Sequence, residues 1–510
     1  MARRAGQTIS AWAAPPETSP DPKLDADLRA DVCVAGAGIA GLSIAYTLVH
    51  EGKSVIVLEA DVAGGGETAR TTAHLSDALD EGYHEIERLF GQQGSRLAAE
   101  SHAAAINRIE SVIIAEGIEC DFARVDGFLF LPPGEAFDEL HREMHAAHRA
   151  GLDGVEIVAR APLDSFDTGR CLRFPNQAQF DPLKYLHGLR RAFVREGGRI
   201  FAKTRVRRVI GGQEPRAETE KGHVVSAGAI VVATNSPTHD NLTIHSKQSP
   251  YRTYVIGAEV PAGSVARALY WDTVEPYHYV RLKSGRTAEG GAPEFDLLIA
   301  GGEDHRQGEE RDTDQRFERL EDWTRKRFPI GNVTYRWSGL VMEPADSLAL
   351  IGQDPNEKNV YLVTGDSGHG MTHGVIASML IPDLIAGREN PWESLYAPSR
   401  FTAQAVNKYA SDTLEIVSSF AEWLTPGEVS DSASIAPGLG SVVRRGFGKM
   451  AVYRDENGAC HESSAICPHL GCIVHWNSTE QSWDCPCHGS RFDPYGSLLR
   501  GPAVRGLARD

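Results

Sequence analysis

The sequence predicts a mixed α/β (α+β) protein that carries a small all-β domain at its C-terminus. Three observations predict this architecture. A glycine-rich turn joins a strand to a helix near residue 36, strands rich in aromatic residues fill positions 245–345, and two cysteine–histidine pairs lie among short strands after residue 425. The 510 residues are enough for two or three domains. Residues 1–29 contain four prolines and no periodicity, so we expect an irregular N-terminal arm there.

The composition argues against several kinds of partner. The chain is 41% hydrophobic and 24% charged, as ordinary soluble globular proteins are. Its net charge of −17 argues against nucleic acid or an anionic membrane as a partner. We find no apolar run of the roughly 18 residues that a membrane span needs, and no continuous apolar stretch follows the arginines at positions 3 and 4 as in a signal peptide. We therefore expect a cytoplasmic protein without a membrane span.

A strand, a glycine-rich turn and a helix begin the first predicted domain. The segment Asp31-Val-Cys-Val-Ala-Gly36-Ala-Gly38-Ile39-Ala40-Gly41 carries the Gly-x-Gly-x-x-Gly pattern. A second strand over residues 54–58 follows, and Glu59 and Ala60 come directly after it. The glycines allow a tight turn and a close approach of pyrophosphate to the helix N-terminus, while the acid after the second strand can accept hydrogen bonds from a ribose. The sequence therefore predicts a dinucleotide-binding unit.

Three further segments indicate which dinucleotide is bound. Arg70-Thr71-Thr72-Ala73-His74 follows three glycines at positions 64–66, a later strand contains Ala233-Thr234-Asn235, and Gly365-Asp366-Ser367-Gly368-His369-Gly370-Met371-Thr372 leads into a helix that ends near residue 386. Together these segments resemble the FAD-dependent D-amino-acid oxidase/sarcosine oxidase (glycine oxidase-like) superfamily over about residues 30–390.

The resemblance implies an α/β flavoprotein over residues 30–395. A Rossmann-like FAD domain is built from segments at about 30–80, 200–240 and 345–390, and a sheet-based substrate domain lies mainly at 245–345. The FAD-contacting positions that it implies are Gly36, Gly38, Ile39, Ala40, Gly41, Glu59, Ala60, Arg70, Thr71, Thr72, Ala73, Val206, Ala233, Thr234, Asn235, Gly365, Asp366, Gly368, His369, Gly370, Met371 and Thr372. Some members of the superfamily attach FAD covalently, and His74 is the residue that would form such a link.

The second glycine segment also has a physical rationale. A strand that stops at Gly365 and turns through Gly368 and Gly370 directs free backbone N–H groups and the positive end of a helix dipole outward. Negative charge on a reduced flavin is stabilised at such a position. A glycine-rich strand–helix turn without a ligand is the alternative.

The catalytic residues are expected in the aromatic strands of the substrate domain and in the second glycine segment. We predict His369, Tyr254 and Arg252 as catalytic residues, with His369 or Tyr254 assisting deprotonation of an amine. Core packing is the alternative for each residue of the aromatic strands. Amino-acid oxidases of the superfamily usually carry an arginine shortly after a Trp-x-Gly-Leu-like sequence, whereas Trp337-Ser-Gly339-Leu340 continues here with Val-Met-Glu. Either Arg336, Arg252 or Arg281 replaces that arginine, or the substrate is an amine without a carboxylate.

Two short motifs near the C-terminus predict a metal centre. Cys467 and His469 lie in one motif, and Cys485 and His488 lie fifteen residues or more beyond it. This pattern is typical of a Rieske [2Fe–2S] site, in which two thiolates hold one iron and two neutral imidazoles hold the other. A tetrahedral zinc ion is the alternative, although it has no use for the additional Cys472 and Cys487.

Residues 425–510 resemble Rieske proteins of the cytochrome bc type. The resemblance rests on both metal motifs, on Asn477 and Trp483, and on the run Gly489-Ser490-Arg491-Phe492-Asp493. It implies a disulfide between Cys472 and Cys487 and a hydroxyl donor at Ser490. Residues 396–424 are expected to form a helical linker to this domain.

A flavin that accepts two electrons and a cluster that carries one predict an enzyme that divides electron pairs. Our leading hypothesis is an FAD-dependent oxidoreductase that oxidises a C–N bond of an amine or amino-acid-like substrate, with electrons leaving singly through the cluster to a protein acceptor. Two alternatives remain open. One is a flavin monooxygenase that receives electrons through the cluster, and the other is an O₂-dependent oxidase whose Rieske domain serves for structure or docking. A ring-hydroxylating oxygenase is not favoured, because no separate two-histidine, one-carboxylate iron site is evident.

Overall fold

The computed structural model describes residues 8–12, 21–132, 134, 137–237, 242–285, 294–308, 313–403, 406, 422–446 and 448–509. It confirms the mixed α/β class, with two large sheets in the N-terminal part (residues 8–406) and two small sheets in the C-terminal part (residues 422–509). Within these ranges, no helix is long and apolar enough to cross a membrane.

The first large sheet has a parallel centre, as nucleotide-binding folds do. Its central strand β1 (Leu28–Ala35) pairs in parallel with β2 (Val55–Leu58) on one side and with β10 (Val224–Asn235) on the other. The remaining described strands of this sheet are β7 (Arg199–Phe201), β8 (Val206–Ile210), β9 (Arg216–Thr219), β16 (Leu350–Gln353) and β17 (Val360–Thr364). The order along the sheet is β16-β17-β10-β1-β2-β7, and the β8–β9 hairpin joins it at β10.

The helices of the N-terminal part cover this sheet and form one core with it. α1 (Ile39–His50) packs against α4 (Pro182–Arg195) and α7 (Gly370–Ala386), because all three present buried apolar residues to the same cluster. The Asp181 side chain caps α4 by accepting hydrogen bonds from the backbone N–H groups of Leu183 and Lys184. The other described α-helices are α2 (Tyr83–Glu116), α3 (Asp138–Arg149), α5 (Leu242–His245), α6 (Thr313–Arg325) and α8 (Glu393–Tyr396).

The second large sheet is mainly antiparallel, and its two faces have different neighbours. Val255 and Ile299 share the core of the first sheet and its helices, whereas Tyr254 and Leu298 pack on the opposite face against α6. Its described strands are β3 (His74–Leu75), β4 (Ala123–Phe130), β5 (Glu156–Val158), β6 (Cys171–Gln179), β11 (Gln248–Pro261), β12 (Leu269–Asp272), β13 (His278–Lys283), β14 (Phe295–Arg306) and β15 (Val333–Pro344). The order is β15-β11-β14-β13-β12-β4-β6-β3, and β5 pairs with β6.

The C-terminal part contains two small antiparallel sheets around a separate core. One consists of β18 (Gly440–Arg445), β19 (Gly448–Arg454) and β20 (Cys460–Ser464), and the other of β21 (His475–Asn477), β22 (Ser482–Asp484), β23 (Arg491–Phe492) and β24 (Leu498–Arg500). Trp483 and the two disulfide-bonded cysteines lie in the core between them.

The structure can be compared with the sequence-based expectations for one helix, one strand, the linker and the N-terminal arm. The helix expected to end near residue 386 is α7, and the strand expected at 54–58 is β2. Strand β4 lies between the helices α2 and α3, and its Phe128 and Phe130 fill the α6 side of the second sheet. The predicted helical linker at 396–424 lies largely outside the described residues. In the predicted arm, Ala11 and Trp12 are buried.

Candidate functional site

A cavity of about 310 Å³ lies between the two large sheets. The first sheet and its helices contribute the glycine turn at Gly36 and Gly38, the acid Glu59 and the N-terminus of α7. The second sheet contributes a polar and aromatic wall. The C-terminal part closes one side with Leu499, Arg500 and Gly501. The cavity is therefore formed by both parts of the chain.

Two positions of the glycine turn, Gly36 and Gly41, have no room for a side chain. Gly36 has a φ of +105°, and a Cβ there would lie 2.4 Å from the carbonyl oxygen of Ala233. A Cβ on Gly41 would lie 2.0 Å from the carbonyl oxygen of Gly36. Both distances are below any real contact, so the close approach of the turn, α1 and β10 depends on these glycines.

Two helix N-termini converge on the cavity. α1 begins at Ile39 and α7 begins at Gly370, and neither N-cap residue caps its helix with a side chain. The backbone N–H of Ile39 donates to the Thr68 hydroxyl at 3.1 Å. The two helices approach closely because Gly374 has no side chain, and a Cβ there would lie 3.1 Å from the backbone nitrogen of Ala40. Free N–H groups and the positive ends of two helix dipoles therefore face the same space, which suits a phosphate or another anion.

Most positions expected to contact FAD line this cavity. They are Gly36, Gly38, Ile39, Ala40, Glu59, Ala60, Arg70, Thr71, Thr72, Val206, Ala233, Thr234, Asn235, Asp366, Gly368, His369, Gly370 and Met371. Among the described residues, the lining does not include Gly41, Ala73, Gly365 or Thr372. Gly41 supports the glycine turn, and the Thr372 hydroxyl donates to the carbonyl oxygen of His369. Contact with FAD stays a prediction for all of them.

Glu59 is positioned by the backbone around the turn. Its carboxylate accepts hydrogen bonds from the backbone N–H groups of Ala37 (2.8 Å) and Asp61 (2.7 Å). Burial raises the pKa of Glu59 above its ordinary value, against the effect of these two bonds. Each carboxylate oxygen keeps a further acceptor position, so Glu59 can still accept from hydroxyl groups in the cavity.

His369, the residue directly before α7, forms the centre of a charged group in the cavity. Its Nε2 lies 3.2 Å from Oδ1 of Asp80, and the Tyr277 hydroxyl donates to Oδ2 of the same carboxylate at 3.2 Å. Burial opposes charge on the imidazole, yet the Asp80 carboxylate raises the pKa of His369 overall. His369 in turn lowers the pKa of Asp80 despite its burial. The Asp80 carboxylate therefore favours the charged form of His369, and the pair can hold or release one proton.

A β-bulge places Asp304 in the cavity. Arg252 pairs with His305 and Tyr254 pairs with Gly302, so β14 has one residue more than β11 in this interval. Strict alternation would place Asp304 on the α6 side with Leu298 and Ala300. The extra residue turns its carboxylate to the cavity instead. Burial raises the pKa of Asp304 to about 7.

Tyr279 and Thr253 complete this wall. The Thr253 hydroxyl lies 2.6 Å from the Tyr279 hydroxyl, and both residues line the cavity. The Tyr279 ring occupies space that only a glycine leaves open, since a Cβ on Gly301 would lie 2.3 Å from the ring.

The structure places two predicted catalytic residues away from the cavity. Tyr254 is fully buried on the α6 face of the second sheet, with its ring 5.0 Å from that of Phe317. Arg252, on the same face of β11, donates to Asp484 of the C-terminal part at 2.9 Å. Alternation along β11 turns Thr253, which lies between them, to the cavity. The positions of Tyr254 and Arg252 do not support the catalytic roles expected for them, and we do not carry those roles forward.

The other arginines considered for a substrate carboxylate are also engaged elsewhere. Arg281 is 2% exposed and donates to the backbone carbonyl groups of Thr72, Ala73 and Phe180. Arg336 forms an ion pair with Glu321 on the surface. His74 does line the cavity, and burial lowers its pKa to about 3, so its imidazole is neutral. A covalent flavin link at His74 stays a prediction.

Two loops of the C-terminal part bring the predicted metal ligands together. The Cys467 and Cys485 side chains are hydrogen-bonded to each other, and the His469 and His488 rings lie 4.9 Å apart between centroids. Cys472 and Cys487 form the disulfide that the resemblance implies, and it joins the two loops. The sulfurs of Cys472, Cys485 and Cys487 lie within 4.8 Å of one another, but the disulfide already uses two of them.

The donor atoms fit a cluster with two thiolate and two imidazole ligands. Among the described residues, Nδ1 of His488 is buried and has no hydrogen-bond partner, which is expected of an atom kept for a metal. The Ser490 side chain is hydrogen-bonded to the Cys467 side chain, and its oxygen accepts from the backbone N–H of Ala503. Such second contacts hold a ligand sulfur in place.

A buried charged network joins the C-terminal part to the N-terminal part. Glu480 lies 3.3 Å from Arg70 and accepts a hydrogen bond from the Ser338 hydroxyl at 2.6 Å. Asp484 contacts Arg252 at 2.9 Å and Arg491 at 3.0 Å. All of these charged side chains are almost fully buried. We call Glu480, Asp484, Arg70, Arg252 and Arg491 the interface network.

The network sets the charge of its own members. Although burial opposes ionisation, Arg70 and Arg491 lower the pKa of Glu480 to about 2 from 4.5. Because the folded-state pKa is depressed, this contribution to stability is fully present above pH 4.5 and is lost as the pH falls towards 2.

Contacts outside the network bring the metal loops against the N-terminal part. Gln307 donates to the carbonyl oxygen of Cys485 at 2.7 Å. His245 is buried, and its ring centroid lies 4.7 Å from that of His469 and 5.2 Å from that of His488. A Cβ on Gly489 would lie 3.0 Å from Leu340, which itself lines the cavity. The metal loops and the cavity therefore share a wall.

Sequence reasoning missed Asp80, Asp304, Thr253 and His245. The signal for Asp304 was the Gly301-Gly302 pair within a strand, since glycine in a strand often marks a bulge. The contacts of Asp80 and His245 join distant segments, and no local pattern indicated them.

Two family models match the chain. The FAD dependent oxidoreductase model matches residues 31–384, and the Rieske [2Fe-2S] domain model matches residues 426–509. YhfW of Bacillus subtilis (strain 168), by its name a Rieske 2Fe-2S iron-sulfur protein, is 30% identical over 99% of this chain and 98% of its own length. Gamma-glutamylputrescine oxidoreductase of Escherichia coli (strain K12) is 26% identical over 72% of this chain and 86% of its own.

The fold of the N-terminal part resembles that of solved oxidases. Glycine oxidase from Geobacillus kaustophilus superposes with a TM-score of 0.61 and 17% identity, over 74% of this chain and the whole of that one. This likeness concerns the fold alone.

The interface network predicts a large effect of one isosteric substitution. Glu480→Gln removes the charge that compensates Arg70 and Arg491 in the interior, so we expect the free energy of unfolding to fall by about 3 kcal/mol or more in urea at pH 7. Glu462→Gln is the control, because Glu462 pairs with Arg445 on the surface and should change stability by less than about 1 kcal/mol. Equal effects of the two substitutions would contradict the network.

Removal of the Tyr254 hydroxyl tests the reassignment of that residue. Among the described residues this buried hydroxyl has no hydrogen-bond partner, so Tyr254→Phe should leave stability unchanged or raise it by up to about 1 kcal/mol. Turnover with the same substrate should stay within about twofold of the original. A large loss of turnover at unchanged stability would restore the catalytic role.

Proposed function

The chain belongs to the FAD dependent oxidoreductase family and carries a Rieske [2Fe-2S] domain, and we propose that it oxidises a C–N bond of an amine or amino-acid-like substrate. Its cofactors are FAD and a [2Fe–2S] cluster. In this proposal the electrons leave singly through the cluster. The observation that carries this proposal is the wall shared by the cavity and the metal loops. The cavity, as the site of a two-electron oxidation, and the cluster, as a one-electron carrier, would then lie in contact within one chain. This arrangement suits a two-electron oxidation that is followed by single-electron steps.

The cavity residues fit FAD. The N-terminus of α1 suits the pyrophosphate, and Glu59 suits the ribose hydroxyls. The N-terminus of α7, directly after His369, suits negative charge on the reduced flavin. The second-sheet wall, with Thr253, Tyr277 and Tyr279, would then face the substrate. We propose Cys467 and Cys485 as ligands of one iron and His469 and His488 as ligands of the other.

The cofactors supply the redox chemistry, since FAD can accept a hydride, which carries two electrons, and the cluster can carry one electron at a time. The chain supplies proton handling and exclusion of water. Conversion of an amine to an imine removes a hydride from carbon and a proton from nitrogen. The His369–Asp80 pair lines the cavity. With its imidazole neutral, His369 can take that proton, and the Asp80 carboxylate then stabilises the imidazolium that forms.

The electron route is supported by two contacts. Leu340 touches Gly489 in the second metal loop and also lines the cavity, and His245 packs on both predicted histidine ligands. The name of the Escherichia coli relative, gamma-glutamylputrescine oxidoreductase, agrees with a nitrogen compound as the substrate. A one-electron protein acceptor is part of the proposal.

Replacement of one proposed ligand separates the two halves of the reaction. His488→Cys places a third thiolate at the cluster, so we expect its reduction potential to fall by a few hundred mV, as all-cysteine clusters have lower potentials. Flavin reduction by an amine, followed anaerobically in a panel that includes benzylamine, putrescine, glycine and NADH, should be unaffected. Electron transfer to cytochrome c should fall by about 100-fold, since transfer to a cluster of low potential becomes unfavourable.

His461→Cys is the matched control, because His461 lies on the same domain with a side chain 38% exposed and pairs with Asp455. It should retain both activities. If flavin reduction and cytochrome reduction fall together in His488→Cys, the domain serves for structure or docking. If NADH alone bleaches the flavin, a monooxygenase replaces the proposed amine oxidation.

A further inference from the structure

The substrate end of the cavity carries carboxylates and aromatic rings. Asp80 and Asp304 lie there with Trp271, Tyr277 and Tyr279, and the Tyr277 and Tyr279 rings are 5.4 Å apart. The three residues Thr253, Tyr279 and Asp304 come from the adjacent strands β11, β13 and β14, so the sheet holds them in fixed positions.

Basic side chains of the cavity are directed elsewhere. Among the described residues that line it, the arginines are Arg70, Arg205 and Arg500, and the lining includes no lysine. Arg70 belongs to the interface network, Arg500 pairs with Glu67, and Arg205 donates to the carbonyl oxygen of Leu499. His369 is compensated by Asp80. A substrate carboxylate would therefore find no free cation among these groups.

Of the two carboxylates Asp80 and Asp304, Asp304 is the one that has no ion pair within the described part of the chain. Its Oδ1 is buried and has no hydrogen-bond partner among the described residues, and the ion pair of Asp80 with His369 leaves Asp304 outside it. Burial and the nearby Asp80 charge both raise the pKa of Asp304, with burial as the larger effect. A buried carboxylate oxygen without a partner is costly unless a ligand supplies one.

The backbone is arranged to present this carboxylate. At the bulge in β14, Gly302 has a φ of +144° and Glu303 a φ of +58°. The extra residue of this bulge turns Asp304 from the α6 face to the cavity. Gly301, one position before the bulge, leaves room for the Tyr279 ring beside it. Bulges often re-aim a side chain next to an active site.

We propose that Asp304 binds the ammonium group of the substrate, beside the Tyr277 and Tyr279 rings, so that the site selects amine cations that lack an α-carboxylate. This inference rests on the proposed function and narrows its substrate class. The carboxylate accepts hydrogen bonds from the ammonium group, and the aromatic rings of Tyr277, Tyr279 and Trp271, which line the same cavity, attract the positive charge. An α-amino acid would bring a carboxylate close to Asp304 and Asp80, which repel it.

A pair of non-reacting ligands tests this selectivity without turnover. The FAD-loaded full-length protein is titrated with the α,α-dimethylbenzylammonium cation and with benzoate, and binding is followed by the change in the visible flavin spectrum. The cation keeps its N–H donors but has no hydrogen on the carbon next to nitrogen, so it cannot be oxidised to an imine. The two ligands share a phenyl ring and differ in charge. We expect the cation to bind more tightly than the anion. Asp304→Asn should weaken binding of the cation by about tenfold or more, because a hydrogen-bonded charge pair contributes at least that factor to affinity. Binding of benzoate should be unchanged or tighter.

Asp296→Asn is the matched control, since Asp296 lies on the same strand and accepts from the backbone N–H of Gly263 away from the cavity. It should bind both ligands as the original protein does. Benzoate binding as tightly as the cation in the original protein would overturn the proposal, and this comparison needs no variant. Unchanged cation binding in folded, FAD-loaded Asp304→Asn would also overturn it. Failure of the proposed function has a different signature, in which the cation binds but no amine bleaches the flavin.

Discussion

The burial of Glu480 and Asp484 against guanidinium groups from both parts of the chain is the interaction on which the relation between the two cofactor sites depends. Carboxylates removed from water are tolerated only when charges and hydrogen bonds compensate them, and breaking such a pair typically costs about 3–5 kcal/mol. Arg70 and Arg252 supply this compensation from the N-terminal part. The C-terminal part is therefore held in one orientation.

That orientation determines what the metal loops contact. Leu340 lies between Gly489 and the cavity, and the Gln307 amide holds the carbonyl oxygen of Cys485. The side that bears His469 and His488 faces His245 of the N-terminal part. Docking of the domain and the proposed electron route thus share a structural basis, because Arg70 of the interface network also lines the cavity. The N-terminal arm reinforces it, since the Thr8 hydroxyl donates to Glu480 at 2.6 Å.

The sequence predicted those features that depend on local backbone chemistry. The glycine turn at Gly36, the helix that begins at Gly370 and the paired metal motifs each need particular residue types at fixed spacing. The wall that the second sheet contributes to the cavity was predicted less well, because strand periodicity does not reveal which face of a strand meets the cavity. Tyr254 and Arg252 were favoured, whereas Thr253 lies in the cavity. A single extra residue in β14 turns the Asp304 side chain to the opposite face of the sheet. The interface network joins residues more than 200 positions apart, which no local sequence pattern indicates.

The central claim is that the cluster receives electrons from the flavin of the same chain. The direct measurement is anaerobic flash photoreduction of the flavin with a sacrificial donor, with cluster reduction followed by its visible and electron paramagnetic resonance signals at protein concentrations that differ by about tenfold. A bimolecular encounter scales with concentration, whereas transfer within one chain does not. The account predicts a first-order rate that is unchanged by the dilution. A rate that falls in proportion to the concentration, or a cluster that stays oxidised, would contradict it.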